Sequence, residues 1–315
     1  MSNKAISGDA SGRGAVAGYR VSIPARQRPY TEEEIAEVVR VMRDVPGQTQ
    51  GAMQEQFQAD FKAFTGANYA FAVGNATHAL SLAATLCGVQ PGDEVIIPAY
   101  TFCASAIPFG KAGAKIIWSD IDPDTWVVSV SDIARKITKK TKAIVCVHLL
   151  GMPCDMPAIM ELAKKHGIRV VEDCAQALDS RINGQHVGTF GDFGCFSFHG
   201  AKTMTTLGEG GMLTVKSDAD AKLVPGIRHN GVCGFTGARE RYWVPAMSNV
   251  DLDIEGFWPN NFCIGEAQCA LGSVELKNLT KFSDLIIAQN DRLRELLKDV
   301  PEITFNKIPK GYRHV

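Results

Sequence analysis

The chain has 315 residues, enough for a sizeable core in one large domain with an appendage or in two domains. Its formal net charge is -1, so the composition offers no basic field for nucleic acid or an anionic membrane surface. No apolar run approaches the roughly 18 residues that a membrane-spanning helix needs.

The start of the chain and its cysteines indicate the compartment. Residues 1–28 are predicted to form a flexible arm, because they are rich in Gly, Ser and Ala and lack an apolar signal core. The nine cysteines are an odd number, contain no Cys-x-x-Cys pair and lie partly inside apolar runs. Reduced thiols of this kind predict a cytoplasmic protein, and no metal site is predicted.

Two amphipathic helices are predicted before the first strand. The first begins at Thr31, which forms a capping box with Glu34, and its apolar face is predicted to consist of Ile35, Val38, Val39 and Met42. The second follows a Pro-Gly break, and its apolar positions are Met53, Phe57, Phe61 and Phe64. Both are interpreted as packing helices.

From Tyr69 onward, strands and helices alternate. Strands are predicted at 69–73, 95–97, 115–118 and 143–148, with helices at about 78–87 and 156–166. This alternation predicts an α/β fold with a mostly parallel sheet, flanked by helices and joined by right-handed connections. A further helix is predicted from about Ile264 to Leu279, after a loop-rich stretch from Asn230 to Gly256.

Four polar residues lie at or after the ends of two later strands. Asp173 and Gln176 come directly after one buried apolar run, Ser197 lies near the end of the next, and Lys202 follows five residues later. Ligands of open α/β sheets bind at the carboxyl ends of strands. An acid, a serine and a lysine at that edge suit a cofactor with a ring nitrogen, a phosphate and an aldehyde, which predicts pyridoxal phosphate (PLP).

Three motifs around these residues resemble one family. They are Glu-Asp-x-Ala-Gln-Ala at 172–177, Phe-Ser-Phe-x-x-x-Lys at 196–202 and Gly-Glu-Gly-Gly at 208–211. In this order and spacing they resemble the DegT-type aminotransferases of PLP fold-type I, which aminate keto sugars. The resemblance implies a fold-type I large domain, here 29–250, and a small C-terminal domain beginning at 251–315. Family members continue beyond a motif like His314-Val315, so that small domain is expected to be incomplete.

The resemblance also implies a role for each site residue. Lys202 would form a Schiff base with PLP and then serve as general base and acid, and Asp173 would pair with the ring nitrogen. Gln176 would bind the ring 3-hydroxyl group. The phosphate would be bound by Ala76, Thr77 and Ser197, although an ordinary helix cap is the alternative for the first two. The glycines at 208–211 are interpreted as flexible.

Two positions implied by the resemblance concern the ring face and the neighbouring subunit. Phe102 would stack on the ring, with core packing as its alternative. Asn261 would reach the phosphate in the partner subunit, which implies a homodimer. Cys263 stands where the family usually has arginine, and His148 is interpreted as a structural histidine.

The function implied is transfer of an amino group from glutamate or glutamine to a keto sugar, most simply a nucleotide-linked keto-deoxysugar, in amino-sugar biosynthesis. One alternative is the same chemistry on a keto-inositol or an aminohydroxybenzoate-type precursor. Another is a catalytically poor regulator or partner subunit. Lys202 argues against the sugar dehydratases of this fold, in which histidine replaces the lysine.

Overall fold

The computed structural model describes residues 28–231 and 256–315. Nearly all of the predicted arm (1–28) and most of the predicted loop-rich stretch (230–256) therefore lie outside the described residues. Within the described ranges, no helix is long and apolar enough to cross a membrane.

A seven-stranded sheet in the order β1-β9-β8-β5-β4-β2-β3 forms the centre of the fold. The strands β8, β5, β4, β2 and β3 pair in parallel, and only β9 runs antiparallel to both of its neighbours, β1 and β8. The predicted mostly parallel α/β sheet is thus confirmed. The strand bounds are β1 Tyr69–Val73, β2 Glu94–Pro98, β3 Lys115–Ser119, β4 Thr141–Val147, β5 Arg169–Asp173, β8 Phe193–Ser197 and β9 Gly211–Val215.

Eight α-helices accompany these strands in the described residues. Their bounds are α1 Glu32–Asp44, α2 Ala52–Thr65, α3 Ala76–Leu86, α4 Ile107–Lys111, α5 Val130–Lys136, α6 Met156–His166, α7 Asp218–Arg228 and α8 Glu266–Leu297. Local polar chemistry fixes several of their starts. The predicted capping box of Thr31 and Glu34 begins α1, and Asn75 and Asp155 accept backbone N–H bonds at the starts of α3 and α6.

The two N-terminal helices pack against α8, which is longer than the sequence pattern predicts. Glu266 begins α8 and accepts hydrogen bonds from the backbone N–H groups of Gly51, Met53 and Gln54, so it caps α2. Phe57 and Phe61 of α2 are buried as predicted. Gly272 of α8 lies so close to Phe57 that a Cβ there would come within 2.6 Å of the ring.

The predicted apolar face of α1 is wrong in part. Ile35 and Met42 are exposed by 45% and 67%, whereas the buried positions of the helix are Glu34 and Val41. The reason is that Arg28 binds Glu34 in a two-bond ion pair and also lies 3.5 Å from Glu275 of α8. This polar contact turns Glu34 toward α8 and leaves part of the apolar stripe outside.

A second, three-stranded antiparallel sheet joins the hairpin after β5 to the end of the chain. It consists of β6 Arg181–Ile182, β7 Gln185–His186 and β10 Tyr312–Arg313, in the order β10-β6-β7. Asn183 and Gly184 make the hairpin turn with φ of 49° and 86°, the left-handed values that favour an Asn-Gly pair. The fully buried Asp179 binds both Arg181 and Arg313, which fixes the sheet against the core.

This small sheet buries a histidine that makes the stability depend on pH. Neither ring nitrogen of His186 has a hydrogen-bond partner in the part of the chain that the structure describes, and the nearest oxygen of Asp179 is 3.9 Å away. Burial lowers the pKa of His186 to about 4. The unfolded chain, with a pKa near 6.5, then binds more protons than the folded chain between these two values.

We therefore expect the free energy of unfolding to fall as the pH falls from about 7 to 4, by at most roughly 3 kcal/mol from this residue. Urea unfolding at a series of pH values measures it. His186→Gln should flatten this dependence, whereas His166→Gln, at an exposed histidine of α6, should leave it as in the unaltered chain. Equal pH dependence in the His186→Gln protein would contradict the assignment.

Candidate active site

A cavity of about 460 Å³ lies where the start of α3 meets the carboxyl ends of β5 and β8. This volume is in the range of small-molecule pockets, roughly 300–1,000 Å³. Seven of the eight predicted site residues line it, and Asn261 does not. The full lining is Asn75, Ala76, Thr77, Leu80, Thr101, Phe102, Ala104, Val147, Asp173, Ala175, Gln176, Ser197, His199, Lys202 and Glu209.

The start of α3 offers free backbone donors to the cavity. Asn75 caps the helix by accepting from the N–H of His78 at 2.9 Å, so the first two helical amides, of Ala76 and Thr77, have no partner within the helix. Such a helix start favours anionic groups. Ser197, at the end of β8, adds a hydroxyl to the same cavity.

Glycine is needed beside this helix start because of close packing. A Cβ on Gly211 would lie 2.5 Å from the carbonyl carbon of Asn75, and one on Gly210 would overlap the hydroxyl of Thr206. Gly208 alone in the 208–211 motif has a left-handed φ, of 100°. Gly208 therefore has the backbone freedom predicted for a turn at this motif, whereas Gly210 and Gly211 are required by close packing, which lets β9 pass directly beneath α3.

Asp173 supplies a nearly buried carboxylate at the end of β5. Its side chain accepts a hydrogen bond from Ser105 Oγ at 2.6 Å and another from the backbone N–H of Ala175 at 3.1 Å. Burial raises the pKa of Asp173, and the two hydrogen bonds and the charge of Lys202 oppose that rise. The protein thus both desolvates the carboxylate of Asp173 and stabilises its negative charge.

Lys202 lies in the loop between β8 and β9, in a turn closed by its own N–H and the carbonyl of His199 at 2.8 Å. Burial lowers the pKa of its amine, and the negative charge of Asp173 opposes that effect. A lysine of lowered pKa loses its proton more easily, and the neutral amine is the nucleophilic form. The cavity therefore holds an amine suited to attack on a carbonyl group.

The orientation of Gln176 is fixed by the backbone of a neighbouring loop. The N–H of Leu150 donates to Gln176 Oε1 at 2.7 Å, so the side-chain NH₂ remains as the donor available to the cavity. Leu150 has a φ of 52°, an uncommon value for a residue with a branched side chain. Its carbonyl accepts from His314 Nε2 at 2.9 Å, so both of its backbone polar groups are bound.

Phe102 is 68% exposed and lines the cavity. The structure therefore rules out core packing, the alternative for this residue, and leaves its ring accessible for contact with a planar ligand. It lies in the loop after β2, next to a short 3₁₀ turn at Cys103–Ser105.

One cluster in the described residues has the spacing of metal ligands: His148, Glu172 and Cys174. Its polar atoms are already bound within the protein. His148 Nδ1 accepts from the N–H of Cys154, and Nε2 donates to Glu172. Glu172 also accepts from the N–H groups of Gly188, Phe190 and Gly191. The cluster is therefore a structural network, and the interpretation of His148 as a structural histidine is confirmed.

Asn261 lies outside the cavity lining, on an exposed segment paired with His229 by an isolated β-bridge. Its predicted role across a subunit interface stays a prediction. Cys263 is half-buried, and burial raises the pKa of its thiol while the charge of Arg228 opposes that rise.

The sequence interpretation missed several residues of the site. Thr101 binds Ser105, Ser105 donates to Asp173, and His199 and Glu209 line the cavity. Their position in the sequence could have identified them, because all four lie either after the carboxyl end of a strand or in the glycine motif. The motif that contains Glu172 does not indicate its structural role, although its four hydrogen bonds fix the hairpin beside β5.

Comparisons with known proteins agree with this geometry. The model of the DegT/DnrJ/EryC1/StrS aminotransferase family matches residues 29–315. A GDP-perosamine synthase of Escherichia coli O157:H7 is 47% identical over 191 residues, which are 61% of this chain and 52% of that protein. A UDP-N-acetyl-3-dehydro-alpha-D-glucosamine 3-aminotransferase of Acidithiobacillus ferrooxidans is 33% identical over 296 residues, or 94% of this chain and 75% of that protein.

The fold of this chain is also similar to that of a solved structure. Spr1654 from Streptococcus pneumoniae, in its PLP form, superposes with a TM-score of 0.77 at 27% identity, covering 93% of this chain and 77% of that chain. The chain spans about half the length of the Escherichia coli relative.

The network around Glu172 leads to a test of how the site is supported. Each carboxylate oxygen of Glu172 accepts two hydrogen bonds, so in Glu172→Gln either amide orientation places an NH₂ group against two donors. We expect a loss of roughly 3 kcal/mol in the free energy of unfolding. Urea unfolding measures it, with Glu161→Gln at an exposed position of α6 as control. A loss below about 1 kcal/mol would show that the network does not stabilise the fold.

Proposed function

We propose, because the chain belongs to the DegT/DnrJ/EryC1/StrS aminotransferase family, that it is a PLP-dependent aminotransferase that moves an amino group onto a keto sugar. The observation that carries this proposal is one cavity lined by a buried carboxylate, a lysine of lowered pKa, a serine and the free start of a helix. The PLP form of Spr1654 and the sugar aminotransferases among the relatives support it.

The residues of the cavity fit PLP in the chemistry of their donors and acceptors. The amides of Ala76 and Thr77 with the hydroxyl of Ser197 would hold its phosphate, and Asp173 would pair with its ring nitrogen. Gln176, whose NH₂ group is the free donor, would bind the ring oxygen, and Phe102 would cover the ring. When bound, PLP supplies an electron sink that stabilises negative charge beside the amino nitrogen.

Lys202 performs the two protein-side tasks of the reaction. Its amine would hold the cofactor through the aldehyde group, and when free it would accept and return a proton. Burial favours the neutral form needed for both tasks, because desolvation disfavours the ammonium ion.

Asp173 would hold a proton on the ring nitrogen by presenting a negative charge to it. The carboxylate must stay ionised for this purpose although it is nearly buried, and the bonds from Ser105 and Ala175 serve that need. The nearby positive charge of Lys202 in its protonated form favours the same ionised state.

For the substrate, we propose a nucleotide-linked keto-deoxysugar, with glutamate or glutamine as the amino donor. The relatives named for GDP-linked and UDP-linked sugars support this class. We also propose a homodimer in which Asn261 reaches the phosphate site of the partner subunit, which is compatible with its exposed position outside the cavity of its own chain.

Changes at Lys202 and Asp173 separate binding from chemistry. We expect Lys202→Ala to abolish the visible absorption band of lysine-linked PLP, because no other amine lines the cavity among the described residues. Asp173→Asn should keep bound PLP but lower the transamination rate by roughly 100-fold or more, because the ring nitrogen loses its anionic partner. Lys164→Ala, at an exposed lysine of α6, should alter neither property. An Asp173→Asn protein of undiminished activity would contradict the proposed role of the carboxylate.

The substrate class is tested with ¹⁵N-labelled glutamate or glutamine and a panel of acceptors. We expect the label to appear in the amino sugar formed from a GDP- or UDP-linked 4-keto- or 3-keto-sugar, detected by mass spectrometry. Label in the amine formed from a keto-inositol or from an aminohydroxybenzoate-type precursor would instead assign the alternative substrate class. If the protein binds PLP but transfers no nitrogen to any acceptor, including a keto acid, the result would favour the non-catalytic regulator or partner subunit.

A further inference from the structure

Two hydroxyl groups link the loop after β2 to the carboxylate at the end of β5. Thr101 Oγ1 lies 2.7 Å from Ser105 Oγ, and Ser105 Oγ lies 2.6 Å from Asp173 Oδ2. Ser105 is fully buried, and Thr101 is half-buried and lines the cavity. The three side chains therefore form one continuous hydrogen-bonded row that begins in the cavity wall.

The direction of each bond in this row follows from the number of protons. An ionised carboxylate only accepts, so the single hydroxyl proton of Ser105 points to Asp173. Ser105 then has only acceptor capacity left toward Thr101, so Thr101 donates to Ser105. The Thr101 bond orients the Ser105 hydroxyl for its short, charge-assisted bond to the carboxylate.

We propose that Ser105, oriented by Thr101, is a positioning residue that keeps the Asp173 carboxylate ionised and fixes its orientation through Oδ2, so that the carboxylate would be available to the ring nitrogen of the cofactor. This inference rests on the proposed function, and it adds two residues that the family motifs do not contain. Its effect on Asp173 is a property of the protein alone and can be measured without PLP.

The same row also links Phe102 and Asp173, the two residues that would contact different parts of the cofactor ring under the proposed function. Phe102 lies between Thr101 and Ser105 in the chain, and its carbonyl accepts the N–H of Ser105 at 3.0 Å. The loop that carries the exposed aromatic ring is thus tied to the residue that binds the carboxylate. Ser105 therefore contacts the loop of Phe102 through its backbone and Asp173 through its side chain.

Other groups near Asp173 bear on its ionisation. Lys202 lies across the cavity, and His148, from the loop after β4, contributes a further electrostatic interaction. The thiols of Cys174 and Cys195 also face it, but burial raises the pKa of both, so they remain neutral. Apart from the backbone N–H of Ala175, Ser105 is the only hydrogen-bond donor to Asp173 within the described residues.

The test compares Ser105→Ala, Ser105→Cys and Thr101→Val with the unaltered protein. In apoprotein labelled with ¹³C-aspartate, the Asp173 carboxyl signal, assigned by its loss in Asp173→Asn, should titrate at a higher pH in Ser105→Ala. In the holoenzyme, the acidic limb of the kcat profile should move to higher pH and kcat should fall roughly 10- to 100-fold. Ser105→Cys, which keeps a weak S–H donor, should give values between those of Ser105→Ala and the unaltered protein. Thr101→Val should shift the acidic limb by less than Ser105→Ala does.

Ser119→Ala is the matched control. Ser119 is also a fully buried serine, and it donates to the buried carboxylate of Asp132 at 3.0 Å, away from the cavity. Its removal should cost stability of the same order as Ser105→Ala but leave the Asp173 titration and the kcat profile unchanged.

The inference is overturned if Ser105→Ala leaves the Asp173 titration in place, or if Ser119→Ala moves it equally. Failure of the proposed function looks different. The unaltered protein would then bind no PLP or transfer no nitrogen, while the Asp173 titration in the apoprotein would still respond to Ser105.

Discussion

The fold and the site depend on two adjacent carboxylates of β5 that face opposite sides of the sheet. Side chains alternate along a strand, so Glu172 and Asp173 enter different environments. Glu172 is fully buried and binds three backbone amides and His148. That network fixes the hairpin and the loop after β4. Asp173 can therefore face the cavity from a rigid position, and it receives only two hydrogen bonds, which leaves acceptor capacity for a ligand.

Burial acts on Asp173 and Lys202 in opposite directions, and this opposition defines the chemistry of the cavity. Desolvation raises the pKa of the acid and lowers that of the amine, so both groups are drawn toward their neutral forms. Their mutual attraction works against this for both groups, and the hydroxyl of Ser105 adds to the effect for the acid. For Lys202, burial makes the neutral amine accessible without any hydrogen bond to the amine. The pair thus combines a maintained anion with a reactive amine.

The sequence predicted the sheet, the bounds of α6 and seven residues of the cavity lining, because each depended on local pattern or on short motifs. It missed Ser105, since the serine is 68 positions away from its partner Asp173 and lies outside the motif that contains Asp173. It misjudged the apolar face of α1 for a similar reason. The helical period locates an apolar stripe, but the ion pair of Arg28 with Glu34 decides which side meets α8.

Leu150 illustrates how a strained residue can serve the site. A left-handed backbone at leucine costs of order 1–3 kcal/mol and persists only where the surroundings determine it. Here its N–H is bound by Gln176 and its carbonyl by His314, which are 138 positions apart in the chain. The loop that orients Gln176 is thus held from both the β5 segment and the C-terminal segment. The orientation of the Gln176 amide is consequently a property of the whole described fold, and a motif that contains Gln176 cannot by itself specify it.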